Sequence, residues 1–198
     1  MAFDYGVPAT HGILDPSSQA NVQIDGPHVE VHRGLSFVAY VTDIDLDTGE
    51  NVNICFTTPN NTVYLHLIPA ASNSKASLFQ VLEGPTITAG TGTDRAARNR
   101  RRTSTFTSSI KSLAATPVTG SYTHNATITG DGTVLFEEAI GGGRANFGVA
   151  SSSRGTAEWI LKPNTTYAFR LVAYADNGQA AIELDWYAHI DKLEIPNG

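Results

Sequence analysis

The chain has 198 residues with 13 Lys and Arg against 19 Asp and Glu, a formal net charge of -6. That length buries a sizeable core without metal or disulfide staples, and the single cysteine, Cys55, excludes an internal disulfide and fits folding in a reducing compartment. Residues 1–94 hold two cations, 95–102 hold five and 103–198 hold six, so the basic character is local and argues against a general nucleic-acid or membrane surface.

No stretch approaches the roughly 18 apolar residues of a membrane span, and the start MAFDYGVPATHGILDP is not an export signal, which predicts a soluble chain. Charged residues are 16% of the chain, while Thr, Ser, Asn, Gly and Val abound, a mixture that favours strands and turns over helices.

In chain order, residues 1–27 carry Pro8, Pro16 and Pro27 with Gly6, Gly12 and Gly26, which break regular elements and predict an extended arm. Residues 28–33 alternate as a strand, placing His28, Glu30 and His32 on one face. These are ligand types for a divalent transition metal, but residues four apart on a strand stand about 13 Å apart, so no shared ion and no metal site is expected. A strand over 35–42 follows. The run Asp43-Ile-Asp-Leu-Asp-Thr-Gly-Glu50 begins like a calcium loop, but its glycine comes one place late and Ile54 stands at the twelfth position. A solvated turn is the main reading, and a weaker cage shared with neighbouring loops the alternative.

In 51–58, Val52, Ile54 and Phe56 point one way; Cys55 falls on the outer face or in a second apolar layer, without a basic partner to activate it. Strands are predicted at 62–69 and 76–82, then a long irregular stretch at 84–102 ending in Arg95-Ala-Ala-Arg-Asn-Arg-Arg-Arg102. Further strands are predicted at 103–109, 121–128, 133–138 and 157–162, with a second long Gly- and Ser-rich loop, 139–156, that carries Arg144. The last two strands are the clearest. Tyr167, Phe169 and Leu171 alternate with Ala168, Arg170 and Val172, and Ile182, Leu184 and Trp186 face a core with Glu183, Asp185 and Tyr187 outside. About ten short strands and no convincing helix predict an all-β, antiparallel β-sandwich or jelly-roll-like domain over 28–198.

Nucleophile, metallopeptidase and nucleotide motifs are missing, so neither an enzyme nor a cofactor is predicted. The arginine run reads in three ways: a solvated loop, a clasp for an acidic protein surface or neighbouring subunit, or a nucleic-acid contact. Phe106 is the one aromatic nearby, which disfavours the last.

Two stretches carry a family resemblance. VHRGLSFVAYVTDIDLDTGENVNICFTTPNNTVYLHL, residues 31–67, and RGTAEWILKPNTTYAFRLVAYADNGQAAIELDWYAHID, residues 154–191, resemble the front and closing parts of a group of tailed-bacteriophage head-decoration, or cement, proteins. The resemblance implies a structural protein, usually trimeric, on the outer surface of the virion capsid, bound to the major capsid protein and stabilising the icosahedral head by bridging capsomers. It transfers no site. From charge and flexibility, the expected capsid or subunit contacts are Arg95, Arg98, Arg100, Arg101, Arg102, Phe3, Tyr5 and Arg144, with no direct nucleic-acid or membrane partner. The alternative is a receptor-binding or fibre-head sandwich holding host glycans on Trp159, Tyr174 and Tyr187.

Overall fold

A computed structural model describes residues 13–14, 21–22, 26–60, 63–141 and 158–190. The elements are β1 (Ile13–Leu14), β2 (Asn21–Val22), α1 (Gly26–Arg33), β3 (Ser36–Leu46), β4 (Asn51–Thr57), β5 (Val63–Asn73), β6 (Ser77–Glu83) and β7 (Thr86–Ile87). Then come β8 (Thr93–Ala96), β9 (Arg98–Asn99), β10 (Ser121–His124), β11 (Ile128–Gly130), β12 (Thr133–Ile140), β13 (Trp159–Leu161), β14 (Thr166–Ala173) and β15 (Gly178–Ile190).

The protein is an antiparallel β-sandwich. One sheet runs β12-β6-β14-β4-β10-β8 and the other β13-β5-β15-β3-β9. Consecutive strands β3 and β4, β5 and β6, and β14 and β15 each divide between the two sheets, so the chain repeatedly crosses from one layer to the other. The alternation read from the sequence sets which faces meet: Ile182, Leu184 and Trp186 are fully buried, as are Val52, Ile54, Phe56, Phe169 and Leu171. Aromatic rings tie the layers together, with Trp186 stacked 6.1 Å from Phe37 and 6.2 Å from Phe56, and Phe56 stacked 6.0 Å from Phe169. Trp186 Nε1 donates to Ser108 Oγ at 3.2 Å, so the indole is buried without stranding its one donor.

The outer face of the six-stranded sheet is also covered. Cys55, Leu82, Ala126 and Ala168 form a second buried cluster, against which Ile87, Leu113 and Ile128 pack. That explains why β4 and β6 are buried almost throughout instead of on alternate residues.

Several expectations are corrected. Residues 28–33 form a helix and no strand. Pro27 occupies the first turn, where its missing N–H costs nothing, and Gly34 at φ 76 ends the helix in the left-handed region. His-Val-Glu-Val-His satisfies a period of two, but local caps decide so short a segment. Within the predicted arm, β1 and β2 pair antiparallel, so those residues form a small ribbon. Residues 103–109 hold no strand: Ser104 Oγ accepts from Phe106 N at 3.1 Å and Ser108 Oγ from Ile110 N at 3.4 Å, side-chain turns that compete with a ladder. The stretch 84–102 is not a long loop, since it contains β7, β8 and β9. Of the predicted loop 139–156, all beyond residue 141 lies outside the described residues.

Candidate interaction surface

The arginine run is a strap across one open side of the sandwich. β8 is the edge of the six-stranded sheet and β9 the edge of the five-stranded sheet on the same side, so the chain from Thr93 to Asn99 steps from one layer to the other. Ala97 packs against the core between them. Asp94 anchors the first part, accepting from Ser112 Oγ and Thr123 Oγ1, both at 2.7 Å. Asn99 pins the second. Its buried amide donates to Gly34 O at 2.7 Å and Phe106 O at 3.1 Å, while its Oδ1 accepts from Arg101 N at 2.9 Å.

The backbone fixed in this way displays five exposed arginines with different employments. Arg95 Nε donates to His124 Nε2 at 3.0 Å. That bond needs a neutral imidazole, and burial first, then the Arg95 charge, hold His124 below its ordinary value of 6.5. Arg100 forms an ion pair with Asp185 of β15. Arg101 donates to His32 O in the last turn of α1, a favourable place for a cation because the helix dipole is negative there. Arg102 reaches Asn99 O at 3.3 Å. Among the described residues, Arg98 alone of the five has no side-chain partner. Three of the arginines, Arg95, Arg100 and Arg101, thus close the strap against distant parts of the chain, and their remaining donors face outward.

Tyr122 completes the edge. Its hydroxyl crosses from the six-stranded sheet, donates to Tyr40 O at 2.9 Å and accepts from Tyr40 N at 3.4 Å, satisfying backbone groups of β3 beyond the end of β9. Burial raises its pKa, partly offset by the backbone bond and by Arg95 and Arg98. Phe3, Tyr5 and Arg144 lie outside the described residues.

Sequence reasoning missed Asn99, Tyr122 and Asp185. The only available signal was an asparagine interrupting arginines. It also missed the opposite edge, β12, which exposes Val134 and Phe136 beside the exposed Glu137 and Glu138.

Elsewhere the candidate groups find partners within the fold. Cys55 is buried, its thiol is pushed up to about 12 by burial, and its Sγ donates to Asn53 Oδ1 at 3.3 Å. The carboxylates of the 43–50 loop serve the backbone: Asp43 accepts from Asp45 N, Glu50 from Asp47 N, and Asp47 from Asn177 N. Helix α1 brings His28 and His32 to 4.9 Å between ring centroids, while Glu30 bonds Arg33 at 2.9 Å instead of joining them. Among the described residues, no group of three His, Cys, Asp or Glu side chains is placed to hold a metal. An open groove of ≈ 430 Å³ between Ile87, Leu113 and Pro117 is lined mostly by apolar groups, with Lys111 at its rim. The three aromatics of the glycan-binding alternative do not share a face. Trp159 packs on the core, Tyr187 stacks on His66 outside the five-stranded sheet, and Tyr174 sits beyond the end of β14, its N–H bonded to Ala76 O.

Compared with known proteins, the chain matches no family model, no curated protein and no solved structure.

Proposed function

We propose that the protein is a structural component of a tailed-bacteriophage virion, decorating the outside of the capsid and stabilising the head by bridging capsomers. The observation that carries this reading is where the two resembling stretches fall. Residues 31–67 supply β3, β4 and the start of β5, and residues 154–191 supply β13, β14 and β15; β4 pairs with β14 inside the six-stranded sheet, and β15 lies between β3 and β5 in the five-stranded sheet, with β13 on the edge beside β5. A resemblance split by almost ninety residues of chain therefore belongs to one folded unit.

The strand order supports the jelly-roll form of that unit. In an eight-strand set of β3, β4, β5, β6, β12, β13, β14 and β15, the first and last strands are neighbours in one sheet, and the second and seventh in the other. This is analogy of fold and adds to the resemblance without replacing it. The partners on this reading are the major capsid protein and further copies of the chain, arranged as a trimer. Arg98 and the outward donors of the other strap arginines supply cationic contacts for acidic patches on the shell.

The test uses particles produced from the genome that encodes the chain. The protein should be present in purified virions and accessible to antibody on intact heads. Shells assembled without it should bind the recombinant protein and gain resistance to heat, because a ligand of the assembled shell stabilises that state by mass action. Absence from virions together with no binding to shells would overturn the reading.

A further inference from the structure

Among the described residues, β12 and β8 are the two edges of the six-stranded sheet and are complementary, and we infer that β12 of one copy docks beside β8 of the next, continuing that sheet from subunit to subunit. The inference rests on the self-association included in the proposed function and gives it a surface.

Three observations carry it. The first is exposure. β12 has eight residues, pairs only with β6 among the described residues, and presents Val134 at 42% and Phe136 at 39% exposure, an unusual display for an edge left to water. The second is direction. Every neighbouring pair in this sheet is antiparallel and there are six strands, so β12 and β8 run in opposite senses. A copy added head to tail thus meets its neighbour as an antiparallel strand, the better-bonded arrangement. The five-stranded sheet has an odd count, so β13 and β9 run in the same sense and the same operation would align them parallel.

The third is charge. β12 carries exposed Glu137 and Glu138, whereas β8 carries exposed Arg95 with Arg98 following at the same side. Pairing β12 with its own copy about a two-fold axis brings the glutamates of two subunits together, and pairing β8 with itself does the same for Arg95; like charges across a strand pair are destabilising. Head-to-tail contact sets opposite charges against each other. Side-chain parity agrees. Arg95 lies opposite Tyr122, whose side chain faces the core, and Phe136, two residues from Glu138, packs edge-on to core Phe79. Arg95 and Glu138 therefore lean to the same side of the sheet. β8 offers four residues, so one junction is short; a heterologous contact of this kind gains by closing into a ring.

The experiment is a charge swap on the full chain, read by sedimentation across a concentration series at low and moderate salt, without shells. Glu138→Arg and Arg95→Glu should each weaken self-association by roughly tenfold or more, and the combined variant should recover to within about threefold of the original protein. Val134→Lys, which places a charge on the apolar part of β12 and leaves both partners intact, should also block assembly. Circular dichroism establishes that each variant is folded. A parent chain that stays monomeric, single variants that associate as before, or a combined variant that fails to recover while Val134→Lys assembles normally would each overturn the edge contact. Shell binding measured on the same samples separates the two ideas: a monomeric chain that still coats shells sinks this contact and keeps the decoration reading, and an assembling chain that ignores shells does the reverse.

Discussion

His124 shows how one side chain couples the strap to solution conditions. In the folded chain it accepts from Arg95 Nε and is held below 6.5, mainly by burial. The unfolded chain takes up the proton near 6.5 and the folded chain only at lower pH. Between those values the unfolded state binds more protons, so stability is full above 6.5 and is lost as pH falls through the folded value. His124→Gln keeps an acceptor and removes the titration. Urea midpoints from about pH 7.5 to about 5, either side of the ordinary imidazole value of about 6.5, should fall less for that variant than for the parent; parallel curves would show that His124 does not contribute. Arginine-rich composition alone announced that charge mattered here. It could not announce that three arginines are spent inside the chain, because Asp185, His124 and His32 lie 85, 29 and 69 residues away from their partners.

Among the elements, α1 depends most on a single position. Gly34 ends the helix at φ 76, and a Cβ there would sit 2.8 Å from Ser104 Cβ. Gly34 O also accepts from Asn99, so the helix end and the strap share one backbone turn. Gly34→Ala should cost roughly 2 to 3 kcal/mol, about 1 from the left-handed backbone and the rest from displacing Ser104. Thermal or urea unfolding measures it, and a loss under about 0.5 kcal/mol would mean that the turn is not required. Strands β4, β14 and β15 were readable from alternation because the core between the two layers takes their large apolar side chains on alternate residues, even where the other face of β4 and β14 is covered too. Residues 28–33 and 103–109 were misread for opposite reasons. The first has a strand-like pattern overridden by a proline and a glycine, and the second has strand-forming residues whose hydroxyls bond the local backbone.

For the molecule as a whole, Cys55 is a built-in reporter. It lies under the second apolar layer with a thiol near 12, so no local breathing of an exposed loop should uncover it. Labelling by a thiol reagent at pH 8 should run at least about a thousandfold slower than for a free cysteine and should accelerate in step with global unfolding in urea. Labelling at a few per cent of the free rate would show that the cover of Ile87, Leu113 and Ile128 opens separately. Side-chain alternation alone specified the all-β class and the core faces of the long strands, because alternation is a local property that survives whatever the strands pair with. Long-range pairing settles that residues 31–67 and 154–191 interleave, that RAARNRRR bridges two sheet edges, and that β12 pairs only with β6 among the described residues. Strand order and edge identity depend on contacts between residues far apart in the chain, and no local pattern of side chains encodes which edge remains unpaired.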